Sequence, residues 1–379
     1  MQIRETHVHV QIGPNGDLIV PDRYALNFAA KARALLSSAA RFYHNLSWGN
    51  LPPRPGIVPI NASTTVAEVL TQALEAAPGL VIGETPGRIT SMRLIIENMP
   101  ALARQGLKTL YVRRLLSDFV QTDLNAYFKS GVMPEELERY LSRLGTDPAG
   151  RFNELELVKT ARQNGVRIQA TDCAATYRKT LLFNRIEEQM CTNHLTADIL
   201  FMDKTLNDVG KWIVLTGVES TNTFRGLAGI SELEGGIGLR IEEVSPGHGE
   251  SVVADPGIEI ERGPFSQGDT QRGTFHHQYA DLLLRLEAPA VSRSEKQISR
   301  LLYRPGMYVF EGSEGTYTLI HRSQSNSILR TAVQTLADGR ISINRPAWSH
   351  VSGVHFDNLA QLSTALEQMG LSLQSRLPG

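Results

Sequence analysis

The sequence predicts an α/β protein with a largely parallel sheet flanked by helices, followed by a small C-terminal α+β module. Short apolar runs (LVIG, TLYV, VRIQATD, WIVLTGV and IGLRIEEV) alternate with segments of helical periodicity between residues 60 and 245. Beyond residue 290 that alternation stops. MYVFEG, TYTLIHR, ILRTAVQTL and RISIN then succeed one another as strand-like runs before one amphipathic helix, Asn358–Met369. Three parts follow: 1–59 (hairpin, basic helix, proline-rich linker), 60–290 (the α/β domain) and 291–379 (the α+β module).

In the first part, THVHVQIGPNGDLIVP alternates on both sides of Pro14-Asn15-Gly16-Asp17, which predicts a hairpin. His7 and His9 share one face of it. Their spacing suits a metal, yet a terminal hairpin is a poor cage, and half-exposed strand residues are the plainer reading. Asp22 to Leu46 is an alanine-rich amphipathic helix bearing Arg23, Lys31, Arg33 and Arg41. Such a helix either packs on its own domain or touches an anionic membrane surface. LPPRPGIVP reads as an extended linker.

In the second part, a helix around Thr65–Ala76 leads into LVIG. Met92, Ile95, Ile96, Met99 and Leu102 then recur at helical spacing before TLYV, so Leu80–Asp118 reads as a βαβ crossover. Helices are expected over Thr122–Lys129, Pro134–Leu144 and Asn153–Asn164. In the second of these Pro134 occupies the first turn, and Glu135 and Glu136 complement the helix dipole. VRIQATD, a helical Asn184–Asp208, WIVLTGV and IGLRIEEV complete the alternation. Ser245–Gly273 reads as loop or weak strand, Phe275–Glu287 as strand or short helix, and His276-His277 as loop.

The totals bound the function. With 379 residues, 41% of them hydrophobic and 20% charged, at a net charge of −1, the chain offers no basic surplus for nucleic acid. Its two cysteines, Cys173 and Cys191, form neither a disulfide framework nor a metal-type pair. No apolar run reaches the length of a membrane span, and no signal-peptide core stands at the start. The glycines of GLAGISELEGGIGL are not in dinucleotide-binding order. No cofactor and no metal is expected.

Ligands of an open parallel sheet gather at the carboxyl ends of its strands. Those ends carry Glu84 and Arg88 after LVIG, Arg113 and Arg114 after TLYV, Asp172 with Cys173, and Glu219 with Ser220. Carboxylates facing arginines form either a buried ion-pair network or an anion site. Cys173 beside an arginine would favour the thiolate and act as a nucleophile; without a histidine at a recognisable offset, an inert core cysteine is the alternative.

Five segments in order over residues 80–245 resemble the membrane-targeted effector domain of bacterial toxins. They are VIGE, SMRLIIENMPALARQGLKTLYV, LLSDFVQTDLNAYFKSGVMPEELERYL, LVKTARQNGVRIQATDCAATYR and VLTGVESTNTFRGLAGISELEGGIGLRIEEV. That domain is similar to the C2 region of Pasteurella-type toxins and is grouped with erythromycin esterase, ChaN and TIKI proteins. The resemblance implies secretion without a classical signal peptide and delivery into a host cell, against a cytoplasmic alternative.

It also marks departures. The family's histidine two places after its first glutamate is Pro86 here, and the glutamate ending its second strand is replaced by Arg113 and Arg114. Its histidine before an Asn-Thr pair gives way to Ser220 and Thr221 ahead of Asn222-Thr223. Arginine is no base at neutral pH, proline offers no ligand, and a guanidinium repels a cation. Two expectations follow. Either the ancestral metal or esterase site is degenerate and the domain binds or scaffolds, or it is a hydrolase or transferase for an anionic substrate. The second would use Glu84, Arg113, Asp172 and Cys173, with Arg88, Arg114, Glu219 and Asn222 holding the substrate. The expected partner is a host protein or an anionic small molecule.

PGMYVFEGSEGTYTLIHR and FDNLAQLSTAL bear a partial resemblance to an SH2 module. Glu311 stands where that resemblance places the phosphotyrosine-binding arginine, so partner docking or packing is expected instead.

Overall fold

The computed structural model describes residues 11–12, 18–19, 22–57, 59–61, 63–84, 88–144, 151–177, 183–244, 247–261, 274–277, 279–288, 295–313, 316–336 and 338–374. The chain opens with the pair β1 (Gln11–Ile12) and β2 (Leu18–Ile19) and the helix α1 (Asp22–Asn45). An alternation follows: α2 (Val66–Ala76), β3 (Gly79–Glu84), α3 (Thr90–Arg104), β4 (Leu107–Leu116), α4 (Ser117–Ser130), α5 (Glu135–Leu141) and α6 (Glu154–Gln163). It continues through β5 (Arg167–Asp172), α7 (Ala174–Tyr177), α8 (Arg185–Leu206), β6 (Lys211–Gly217), α9 (Ile230–Glu234) and β7 (Ile237–Val244). Then come β8 (Ser251–Ala254), β9 (Ile258–Glu261), β10 (Thr274–His277) and β11 (Leu282–Glu287). The C-terminal part holds α10 (Glu295–Leu301), β12 (Met307–Ser313), β13 (Thr316–Arg322), β14 (Ile328–Thr335), β15 (Ile341–Ile343), α11 (Leu359–Gln368) and β16 (Ser372–Leu373).

Seven strands form the main sheet in the order β5-β4-β6-β3-β7-β11-β8. All pair in parallel except β8, which runs antiparallel to β11 at the edge. Leu80, Val81 and Ile82, like Leu110, Tyr111 and Val112, are fully buried because helices cover both faces. On one face Ile82, Leu110 and Val112 pack with Leu70, Ile95 and Leu157 of α2, α3 and α6. On the other, Val81, Tyr111 and Val214 pack with Leu200 of α8 and Ile230 of α9. Gly79 is required for close approach: the Trp212 indole occupies the place a side chain would take.

The βαβ reading of Leu80–Asp118 holds, with β3 and β4 parallel in one sheet and β6 entering between them. Other details differ from expectation. Arg113 and Arg114 sit inside β4, which runs on to Leu116, rather than after it. Pro134 is the N-cap of α5 and not part of its first turn. The helix expected over Thr122–Lys129 starts earlier, at Ser117. His276 and His277 belong to strand β10, not to a loop. Two open alternatives resolve as strands: Ser245–Gly273 contributes β8, and LLLRLE is β11, paired to β7.

The N-terminal part is attached rather than free. Phe42 of α1 stacks on His194 of α8 at 5.1 Å between centroids, and Ser38 hydrogen-bonds that imidazole at 2.9 Å. Tyr43 donates to the Ala228 carbonyl at 2.8 Å. Lys31, Arg33 and Arg41 stay exposed. In the proline-rich segment Arg54 pairs with Glu232 at 3.0 Å and with Asp281, fixing the expected linker against the domain. His7, His9 and the Pro14–Asp17 turn lie outside the described residues, as do Pro86 and the stretch around 290.

The C-terminal sheet has the order β15-β14-β13-β12-β16 and is antiparallel except between β12 and β16. Ile298 and Leu301 of α10 cover one face, against Val309 and Ile320. Leu359, Leu362 and Leu366 of α11 cover the other, against Tyr308, Phe310 and Leu319.

Candidate functional site at the carboxyl edge of the sheet

Register brings the expected strand ends together. Glu84 is paired with Gly217, Val112 with Leu215 and Ala170, and Asp172 with Leu116. Glu84, Arg113, Arg114, Asp172, Cys173 and Glu219 therefore share one edge. Their chemistry divides into separate groups.

Arg114 is the centre of the first. One terminal nitrogen donates to Glu84 Oε1 at 3.1 Å and the other to Glu154 Oε1 at 3.0 Å. Glu84 also accepts from Ser91 Oγ at the start of α3. Glu84 and Glu154 are 6% and 1% exposed, so one guanidinium compensates two desolvated carboxylates. Burial opposes the charge of Arg114, but the attraction of Glu84 and Glu154 outweighs it and raises its pKa. Burial pushes the Glu154 carboxyl up, against the pull of Arg114. Glu84 is thus tied on two sides, a poor arrangement for a base that must release and accept a proton.

Arg113 lies near a second group. Its guanidinium approaches Glu188 of α8 at 3.7 Å, an ion pair without a hydrogen bond, and passes over Gly217 close to the exposed Glu219. Asp172 is 6% exposed and accepts from the Thr176 hydroxyl and from the Cys173 amide at 2.9 Å. Burial pushes its carboxyl up, opposed by Arg113 and these hydrogen bonds. Cys173 lies 3.4 Å from Thr176 Oγ1. Burial pushes its thiol up and Asp118 adds to the effect, the reverse of the depression expected from a neighbouring arginine.

The remaining candidates are engaged elsewhere. Arg88 pairs with Glu243, which also accepts from Thr90 Oγ1. These residues line a small cleft of about 190 Å³ with Ser91, Arg240, Ile241 and Glu242, and Arg240 is itself held by Asp255. Asn222 is buried with both amide atoms used, donating to Asp281 Oδ1 at 3.1 Å and accepting from Ser231 Oγ. It ties the post-β6 loop to the Asp281–Arg54 pair and presents nothing to a substrate.

Glu154, Ser91 and Glu188 were not singled out from the sequence. Each opens or lines a helix near the edge, and only the register of β4 shows that they meet Arg114, Glu84 and Arg113. Among the described residues no group of three His, Cys, Asp or Glu side chains is arranged to hold a metal. The cation already seated between Glu84 and Glu154 would repel a second one, so these two carboxylates do not fit a divalent ion.

No protein-family model matches the chain. A 172-residue stretch is 28% identical to the multifunctional-autoprocessing repeats-in-toxin of Vibrio vulnificus, spanning 44% of this chain and 3% of that protein. This stretch is homologous to a bacterial toxin. Among solved structures, the chain is similar to RRSP, a MARTX toxin effector domain from Vibrio vulnificus, at TM-score 0.47 and 22% identity. That likeness covers 60% of this chain and 47% of the other. The C-terminal region of Pasteurella multocida toxin, whose structure is described as holding a thiol-protease-like catalytic triad, is similar at TM-score 0.45 and 13% identity, over 56% and 30% of the two chains. At these scores, roles for the residues of this chain come from its own geometry.

Proposed function

We propose that this chain is a toxin-type effector module, delivered into host cells, in which the edge of the α/β sheet no longer performs acid–base or metal chemistry and the domain acts by binding a host protein. The observation that carries the reading is Arg114 held between Glu84 and Glu154. A guanidinium with two buried carboxylate partners is a structural unit that is strongly destabilising to break. Homology to the Vibrio toxin supports the effector assignment. The supporting experiment delivers the chain into cultured host cells as wild type and as Glu84→Gln, Arg113→Gln and Cys173→Ser. Equal effects on the cells are expected, whereas loss of effect in a variant that still folds would overturn the reading that these residues take no part in the activity.

One observation favours the alternative, a hydrolase or transferase for an anionic substrate. Asp172, whose proton is held more tightly than an ordinary aspartate's, lies within electrostatic reach of Arg113 and beside Cys173. On that reading Arg113 holds the anion and Asp172 donates the proton, so Asp172→Asn abolishes the effect on cells and the three substitutions above reduce it.

A further inference from the structure

The C-terminal module carries a cation that the described residues leave without a counter-charge. Arg345 follows β15 and is half-buried, its guanidinium 4.6 Å from the centre of the Trp348 ring. One terminal nitrogen donates to Thr331 Oγ1 at 3.2 Å. Its Nε is buried without a hydrogen-bond partner. Burial lowers its pKa, and no carboxylate acts against that. His321 meets the same indole ring at 4.6 Å, is 2% exposed, and leaves Nδ1 unpartnered. Burial and then Arg345 hold this imidazole down at about 4, so it is neutral at physiological pH.

A sheet face that needed only packing would be served by an aliphatic side chain. A partly desolvated guanidinium without a carboxylate costs folding free energy, and buried polar atoms left unpaired point to a group that completes them. Two such atoms, Arg345 Nε and His321 Nδ1, flank one indole. Tryptophan and arginine are the residue types that dominate binding hot spots. Leu329, the cross-strand partner of His321, is an exposed apolar side chain beside them, and Val354 is another on the loop that returns to β15.

We propose that Arg345, Trp348 and Thr331 form a docking site for a peptide segment of a partner protein that carries an oxyanion, a carboxylate or a phosphate, with an apolar residue beside it. The guanidinium and the Thr331 hydroxyl receive the oxyanion, and Trp348 and Leu329 receive the apolar neighbour. This site differs from the one an SH2 likeness would mark. Glu311 lies on the side of β12 that Val309 turns toward α10, whereas His321 lies on the side of β13 that Leu319 turns toward α11.

The test titrates the full chain with labelled peptide pools of random flanks and one fixed central residue: glutamate, phosphoserine, phosphotyrosine or glutamine. An anionic pool should be retained at least tenfold better than the glutamine pool, and the strongest pool identifies the source of the oxyanion. Arg345→Gln should reduce retention to the glutamine level while its melting temperature stays level or rises, and Arg345→Lys should keep part of the binding. Bound peptide should also raise the titration midpoint of the His321 ring protons in NMR. Equal retention of all pools, binding unchanged in Arg345→Gln, or loss explained by a lower melting temperature would overturn the proposal.

Discussion

Arg114 Nη1 lies 3.0 Å from Glu154 Oε1, a contact that joins the carboxyl end of β4 to the first turn of α6. Because the same guanidinium also holds Glu84, removing it strands two buried carboxylates. Arg114→Met should therefore destabilise the domain by about 3 kcal/mol, as expected for breaking a buried pair from one side. Adding Glu154→Gln removes one stranded charge and should recover part of that loss. Urea denaturation of the wild type, both single variants and the double variant measures the coupling, and strict additivity would show that the contact contributes nothing.

The pH dependence of stability has a definite sign. Glu154 and Asp172 have carboxyls raised by burial, so the folded state binds their protons more tightly than the unfolded chain does. Their contribution is present below the unfolded values of 4.5 and 3.8 and is lost as pH rises through the raised folded values. The melting temperature of Asp172→Asn should thus gain on the wild type as pH rises from the unfolded value of 3.8 through the raised folded value. A gap that narrows over that range would show a depressed carboxyl instead.

Cys173 should behave as a reluctant nucleophile. Its thiol is pushed above the ordinary 9.0. Iodoacetamide should therefore modify it more slowly at pH 7 than it modifies a free cysteine, with the rate still climbing beyond pH 9. Mass spectrometry of the Cys173 peptide over time distinguishes this from the fast, pH-independent labelling of an activated thiolate.

Arg54 gives the N-terminal part its anchorage. Arg54→Ala leaves Asp281 and Glu232 without their cation and should cost about 2 kcal/mol, since hydrogen bonds to charged groups are involved but the side chain is partly exposed. Limited proteolysis should then cut near the proline run faster than in the wild type. An unchanged digestion pattern would place the anchorage in the α1–α8 packing alone.

Much of the fold was legible because β3, β4 and β6 carry short apolar runs (LVI, LYV and WIVL) that are buried on both faces. β8 was not, since SVVA is only four residues long among glycines and charges. β11 was ambiguous because an apolar run such as LLLRLE has the same pattern in a buried helix turn. At the edge, Glu84 and Arg114 were legible from their place in the chain, but their alliance was not. It depends on Glu154, which reads as an ordinary first-turn acid and shows its role only when α6 folds over β4. Arg345 gave no signal either, because the absence of a nearby carboxylate among the described residues is a property of the folded sheet.

The most direct test of the proposal that the sheet edge performs no metal chemistry is calorimetric titration of the purified full chain with Zn²⁺, Mn²⁺ and Mg²⁺, with Glu84→Gln as the control. With Arg114 seated between Glu84 and Glu154, no stoichiometric binding is expected, and wild type and control should give the same heats. Tight binding of one divalent ion that Glu84→Gln abolishes would contradict the account.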